Sequence, residues 1–144
     1  MSFVLDSSVS LTWCFEDERS DVTEALLERV VNNGAVAPVL WPLEVLNALA
    51  MAERRNRVDA AQRQRLAGFL RDLPVSIDDE TVNQAWAVTA NLAARFRLTL
   101  YDAAYLELAQ RLDLPLATFD KELRAAAVAL GVTLLGGDSD VITP

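Results

Sequence analysis

The sequence predicts an α/β fold in which helices cover both faces of a parallel sheet of about five short strands. Three observations predict it. Apolar runs only a few residues long recur along the chain and are too short to be helices. Amphipathic segments with a 3.6-residue stripe separate them. At 144 residues, 52% hydrophobic and 24% charged, the chain is long and apolar enough to bury the core such a sheet needs.

The elements follow in order. SFVLD is a buried strand that stops at Asp6, and SSVSLTWCF is a short helix. In SDVTEALLERVVNNGAVAP, Asp21 and Glu24 are placed for a capping box, Leu26, Leu27, Val30 and Val31 make the stripe, and Gly34 closes the helix. AVAP is the second strand. WPLEVLNALAMAERRNR opens a helix with Pro42 in its first turn, and Asp59 caps the next, AAQRQRLAGFLRDL. PVSID is the third strand, and DETVNQAWAVTANLAARF is a helix with an acidic first turn. Thr99 caps the helix LTLYDAAYLELAQ, whose stripe runs through Leu98, Tyr101, Tyr105, Leu108, Ala109 and Leu112, with Glu107, Gln110 and Arg111 expected on the solvated side. LPLATFD is a fourth strand ending at Asp120, KELRAAAVALG a helix stopped by Gly131, and VTLLG the fifth strand. The closing GGDSDVITP, with Asp138 and Asp140, is expected as a loose tail. No repeat, linker or low-complexity tract divides the chain, so residues 1–144 are expected as one domain.

Composition removes several kinds of chemistry. There is no histidine and only one cysteine, Cys14, which excludes Ser-His-Asp and Cys-His catalysis, an intrachain disulfide and a Cys-rich zinc site. The remaining reactive groups are carboxylates, hydroxyls, arginines and one lysine, and they favour oxygen-ligated hard metals such as Mg²⁺ or Mn²⁺. No apolar run approaches the ~20 residues that span a bilayer, and Asp6 interrupts any signal peptide, so a cytoplasmic protein is expected. The net charge of −8 conceals six of the 13 basic residues between positions 54 and 71: Arg54, Arg55, Arg57, Arg63, Arg65 and Arg71. That cluster is either a solvated helix pair or a local phosphate-binding patch. Cys14 is expected as a small buried thiol, and Trp13, Trp41 and Trp86 as core.

Four acids map to the carboxyl edge of the predicted sheet, where open α/β sheets bind ligands. Asp6 and Asp120 end strands one and four. Glu44 and Asp102 lie in first turns of helices, Asp102 on the edge of an apolar stripe. Taken singly, each reads as an N-cap or a helix-dipole partner. Together, four carboxylates at one spot repel each other and call for a cation.

Three segments carry a resemblance. FVLDSSVSLTWCFEDE, APVLWPLEVLNALAMAERR and LTLYDAAYLELAQRLDLPLATFDKEL are similar, in order and spacing, to the PIN domain, specifically to VapC-type toxins of type II toxin–antitoxin modules. The resemblance implies a three-layer α/β/α fold and a Mg²⁺- or Mn²⁺-dependent ribonuclease. Its acidic quartet would be Asp6, Glu44, Asp102 and Asp120, supported by Ser7, Asn47 and Thr118. Asn47 would support Glu44 from one helical turn away. It also implies an RNA substrate, a cognate antitoxin and a homodimer, for which the helix around Trp41 to Met51 offers either a dimer surface or core. It does not fix which arginines touch RNA; Arg54, Arg55 and Arg57 are the candidates. A catalytically silent PIN-like interaction module is the alternative. A phosphotransfer receiver domain fits poorly, because Ser7 and Ser8 follow Asp6 and the only lysine, Lys121, follows strand four.

Overall fold

Five parallel strands form the centre of the molecule, in the order β3-β2-β1-β4-β5. The computed structural model describes residues 2–137. The strands are β1 (Val4–Leu5), β2 (Ala35–Ala37), β3 (Val75–Ile77), β4 (Leu116–Ala117) and β5 (Leu134–Leu135). The helices are α1 (Ser7–Thr12), α2 (Asp21–Asn33), α3 (Trp41–Arg54), α4 (Ala60–Asp72), α5 (Thr81–Gln84), α6 (Ala90–Phe96), α7 (Leu100–Leu112) and α8 (Lys121–Leu130). Val4 and Leu5 point to opposite faces of β1 and are both 0% exposed, so helices cover both sides of the sheet. Among the described residues, no helix is long and apolar enough to cross a membrane.

Register follows from the backbone ladder: Val4 pairs with Val36 on one side, and Val4 and Leu5 pair with Leu116 and Ala117 on the other. The chain therefore builds outwards from β1 through β2 to β3, then returns to the opposite side of β1 as β4. Strand order reverses at β1/β4, which is where a ligand crevice opens in such sheets.

Most expected helix ends are present. Asp59 caps α4 in a box with Gln62, the Thr99 hydroxyl accepts the Asp102 N–H at 3.1 Å, and Gly34 and Gly131 terminate α2 and α8 with positive φ. Other expectations need correction. The capping box of α2 is Ser20 with Thr23, one residue upstream of the expected Asp21 and Glu24. The segment after β3 is not one regular helix, because a π-helical turn at Ala85–Thr89 separates α5 from α6, and no acid lies in the first turn of α5. Trp13 and Trp41 are core, each indole donating internally, to the Thr23 carbonyl at 2.7 Å and to Ser10 Oγ at 2.9 Å. Trp86, by contrast, is 88% exposed on the π-helical turn.

In α7 the expected polarity is partly inverted. Tyr101 is exposed, whereas Glu107 is buried and paired with Arg111, which also binds Asp78 at the end of β3. A burial pattern read from side-chain type alone misses a carboxylate that goes inside with its own cation. On helix α3 the core reading holds for one face. Trp41, Val45 and Leu49 face the core, while Leu43 and Leu46 on the other side remain exposed. Cys14 is a free, partly buried thiol, and burial pushes its pKa up to about 11.

Candidate active site

Asp6 follows β1 directly and occupies the N-cap position of α1, yet its carboxylate makes no capping bond. It turns instead towards β4. Two hydroxyls converge on its Oδ2, Ser8 Oγ at 2.6 Å and Thr118 Oγ1 at 2.7 Å, in a side chain only 3% exposed. Adjacent parallel strands make this possible, because the Asp6 N–H donates to the Ala117 carbonyl and brings the two strand ends level. Burial raises the Asp6 pKa most, and Asp120 adds to the rise, while Ser8, Thr118 and the Ser7 backbone act against it.

Thr118 is completely buried and serves both strand ends, donating to Asp6 and accepting from the Asp120 N–H at 3.1 Å. The Asp120 carboxylate does act as a cap, with Oδ1 accepting the Leu123 N–H at 2.8 Å. The cap explanation thus holds for Asp120 and fails for Asp6.

Glu44 and Asp102 approach from the helices α3 and α7, both partly buried. Glu44 Oε1 accepts the Tyr105 hydroxyl at 2.5 Å. Burial raises the Glu44 pKa, assisted by the charges of Asp6 and Asp102 and opposed by the Tyr105 and Ser7 hydroxyls. Asp102 is raised by burial and by the charges of Asp120 and Asp6. These mutual effects place the four carboxylates in one electrostatic neighbourhood, and none of them forms an ion pair with a described residue.

Convergence stops short of a cage. Among the described residues, no group of three or more His, Cys, Asp or Glu side chains is arranged to hold a metal ion. The donor set is all oxygen, anionic and without a cationic partner, the chemistry that suits a hard divalent ion. Mg²⁺ typically takes one or two carboxylates and completes its octahedron with water and phosphate, so an open arrangement fits it better than a closed one.

The supporting residues divide. Ser7 and Thr118 reach the acids, Ser7 through Glu44 and Tyr105. Asn47 is exposed and makes no hydrogen bond to Glu44. Ser8 and Tyr105 were not foreseen. Tyr105 carried one available signal, its position three residues after Asp102 on the same helical face. Of the candidate RNA-contacting arginines, Arg54 and Arg55 are exposed without ion pairs among the described residues. Arg57 is already engaged, paired with Asp17 and Glu18 at 2.8 Å each and lying 3.8 Å from the centroid of the Phe15 ring. Asp138 and Asp140 lie outside the described residues.

A three-layer α/β/α domain with an acidic cluster at its β1/β4 switch point is the class that fold and site define. The PIN domain family model matches residues 3–129, and the chain belongs to that family. It is 33% identical over 105 residues to Ribonuclease VapC1 of Mycobacterium tuberculosis, in strains CDC 1551 / Oshkosh and ATCC 25618 / H37Rv, covering 73% of this chain and 74% of the relative. Among solved structures it resembles PAE2754 from Pyrobaculum aerophilum, with a TM-score of 0.69, 22% identity and coverage of 99% and 96% of the two chains. FitAcB from Neisseria gonorrhoeae gives a TM-score of 0.66 at 17% identity, covering 94% and 96%. VapBC2 from Rickettsia felis, bound to a DNA fragment from its promoter, gives 0.64 at 12%, covering 93% and 97%. At these identities the solved structures support the fold alone.

Proposed function

We propose that this protein is a metal-dependent endoribonuclease, the toxin of a toxin–antitoxin pair, that hydrolyses RNA phosphodiester bonds. The observation that carries the reading is Asp6, a buried carboxylate without a cation, fixed by two hydroxyls at the switch point beside three further acids. Its kinship with the curated VapC1 ribonuclease supports the substrate class.

Asp6 and Asp120 would be the most direct ligands of Mg²⁺ or Mn²⁺, with Glu44 and Asp102 completing the shell directly or through water. When bound, such an ion lowers the pKa of a coordinated water and neutralises developing charge on phosphate oxygens. The chain's own residues supply position. Ser8 and Thr118 hold Asp6 in one orientation, the cap on α8 holds Asp120, and Glu44 and Asp102 orient water from the other side. Arg54 and Arg55 are free to meet RNA phosphates, and Arg57 would have to leave Asp17 and Glu18 first.

A cluster of partly exposed acids attracts an arginine or lysine, which suits inhibition by a cognate antitoxin inserting a basic side chain. The exposed Leu43 and Leu46 on α3 suit a homodimer contact in a cytoplasmic protein. The alternative reading is a catalytically silent PIN-like interaction module. Incubation of purified protein with cellular RNA separates the two. Cleavage that requires Mg²⁺ or Mn²⁺, stops with chelator, and disappears in a folded Asp102→Asn variant supports the nuclease. Wild-type protein that neither binds Mn²⁺ nor cuts RNA overturns it.

A further inference from the structure

Tyr105 is completely buried, and its hydroxyl is spent on a carboxylate rather than on a backbone carbonyl. A buried phenol needs only one acceptor, and any main-chain oxygen would satisfy it. Here the acceptor is Glu44, 61 residues away in sequence and on a different helix, at 2.5 Å. Tyr105 also lies three residues beyond Asp102 on α7, so the two share a helical face. One hydrogen bond therefore connects the helix that bears Asp102 to the side chain of Glu44.

We infer that Tyr105 is a positioning residue for the acidic site: its hydroxyl fixes Glu44 Oε1 against α7, so that Glu44 and Asp102 act on the same ion. The inference rests on the nuclease reading above. A glutamate has three rotatable bonds, and Glu44 is only partly buried. Without a tether it samples several rotamers, and ordering it on metal binding costs conformational entropy. A fixed donor at one oxygen removes that cost and leaves Oε2 for the ion. Ser7, which also reaches both Glu44 and Tyr105, would reinforce the same orientation. Partners of this kind, lying one step behind a ligand, are worth about 10- to 100-fold in metal affinity or activity.

Tyr105→Phe removes the hydroxyl and keeps the ring. The experiment measures Mn²⁺ affinity by calorimetry on metal-free wild type, Tyr105→Phe, Glu44→Ala and the double variant, with folding checked by circular dichroism. The expected result is Mn²⁺ binding about 10- to 100-fold weaker in Tyr105→Phe, with no further loss when Glu44 is already alanine. Unchanged Mn²⁺ affinity in a folded Tyr105→Phe protein overturns the inference while leaving the nuclease reading intact. Wild type that binds no Mn²⁺ overturns both. Should Tyr105→Phe fail to fold, a Tyr101→Phe protein labelled with 3-fluorotyrosine provides the second measurement. Its single fluorine resonance should shift with Mg²⁺ and stop shifting when Glu44→Gln is added; a resonance indifferent to Mg²⁺ overturns the inference.

Discussion

Arg111→Met tests how β3 is fastened to the helix that carries Asp102. The guanidinium makes four contacts, to Glu107 at 2.7 and 3.1 Å and to Asp78 at 2.7 and 3.2 Å. The carboxylate side chains are 3% and 9% exposed, and that of Arg111 is 24% exposed. Methionine keeps much of the volume but strands two acids. Removing one partner of a buried ion pair costs about 3–5 kcal/mol, and partial exposure of the arginine points to the lower end, about 3 kcal/mol. For a domain of this size that lowers Tm by about 10 °C. The pH dependence is specific. Burial pushes the Asp78 pKa up, but Arg111 and Thr81 outweigh it and leave it below the ordinary value. Such a depressed carboxylate stabilises the fold fully above its unfolded pKa of about 3.9, and the contribution is lost as pH falls through the lower folded value. Thermal melts of metal-free wild type and variant should therefore differ by the full amount from pH 8 to about 5, and the gap should narrow as pH falls from about 4 through the lower folded value. A gap under about 2 °C at pH 7, or one that does not change with pH, would refute the buried-pair reasoning.

Asp6→Asn should raise the Tm of the metal-free protein at pH 7.5, because burial and Asp120 disfavour the charge it removes. The same change should lower RNA cleavage by more than ~100-fold, beyond the loss typical of a supporting residue; a lowered Tm would count against the electrostatic account. Asp6, Glu44 and Asp102 all have raised pKa values, so the native state binds more protons than the unfolded chain just above the ordinary carboxylate range, and metal-free stability falls as pH rises through that window. A Mn²⁺ ion bound as proposed would compete with those protons, so at a fixed concentration its increment in Tm should be larger at pH 7.5 than at pH 5.5; equal increments would contradict it. The Cys14 thiol, pushed up to about 11, should react slowly with a disulfide reagent at pH 8 and become fully reactive in urea.

The sheet was legible because its signals are local. Short apolar runs, Gly34 and Gly131 beyond helix ends, and Asp59 and Thr99 before helix starts each determine an element without reference to distant residues. The errors arose where a distant partner overrode a local preference. Glu107 reads as solvent-facing until Arg111 and Asp78 supply its counter-charge inside the fold. Trp86 reads as core by composition, yet it sits on the π-helical turn with its indole exposed.

At the site the distinction is between charges and the groups that aim them. The four acids could be placed from sequence because strand ends and first turns of helices share one edge of a parallel sheet. Their supports could not all be placed, since a serine two residues after an aspartate reads equally well as a helix-start residue. Ser8 donates to Asp6 and also accepts the Phe119 N–H at 3.0 Å, linking the start of α1 to the end of β4. Thr118 makes the matching connection from the other strand. Because both hydroxyls bind Oδ2, the Ser8→Ala/Thr118→Val double variant should lose more Mn²⁺ affinity than the two single losses summed if one donor suffices to orient Asp6. Strictly additive losses in Mn²⁺ affinity would instead mean that each hydroxyl acts alone, since independent sites add and residues sharing a partner do not.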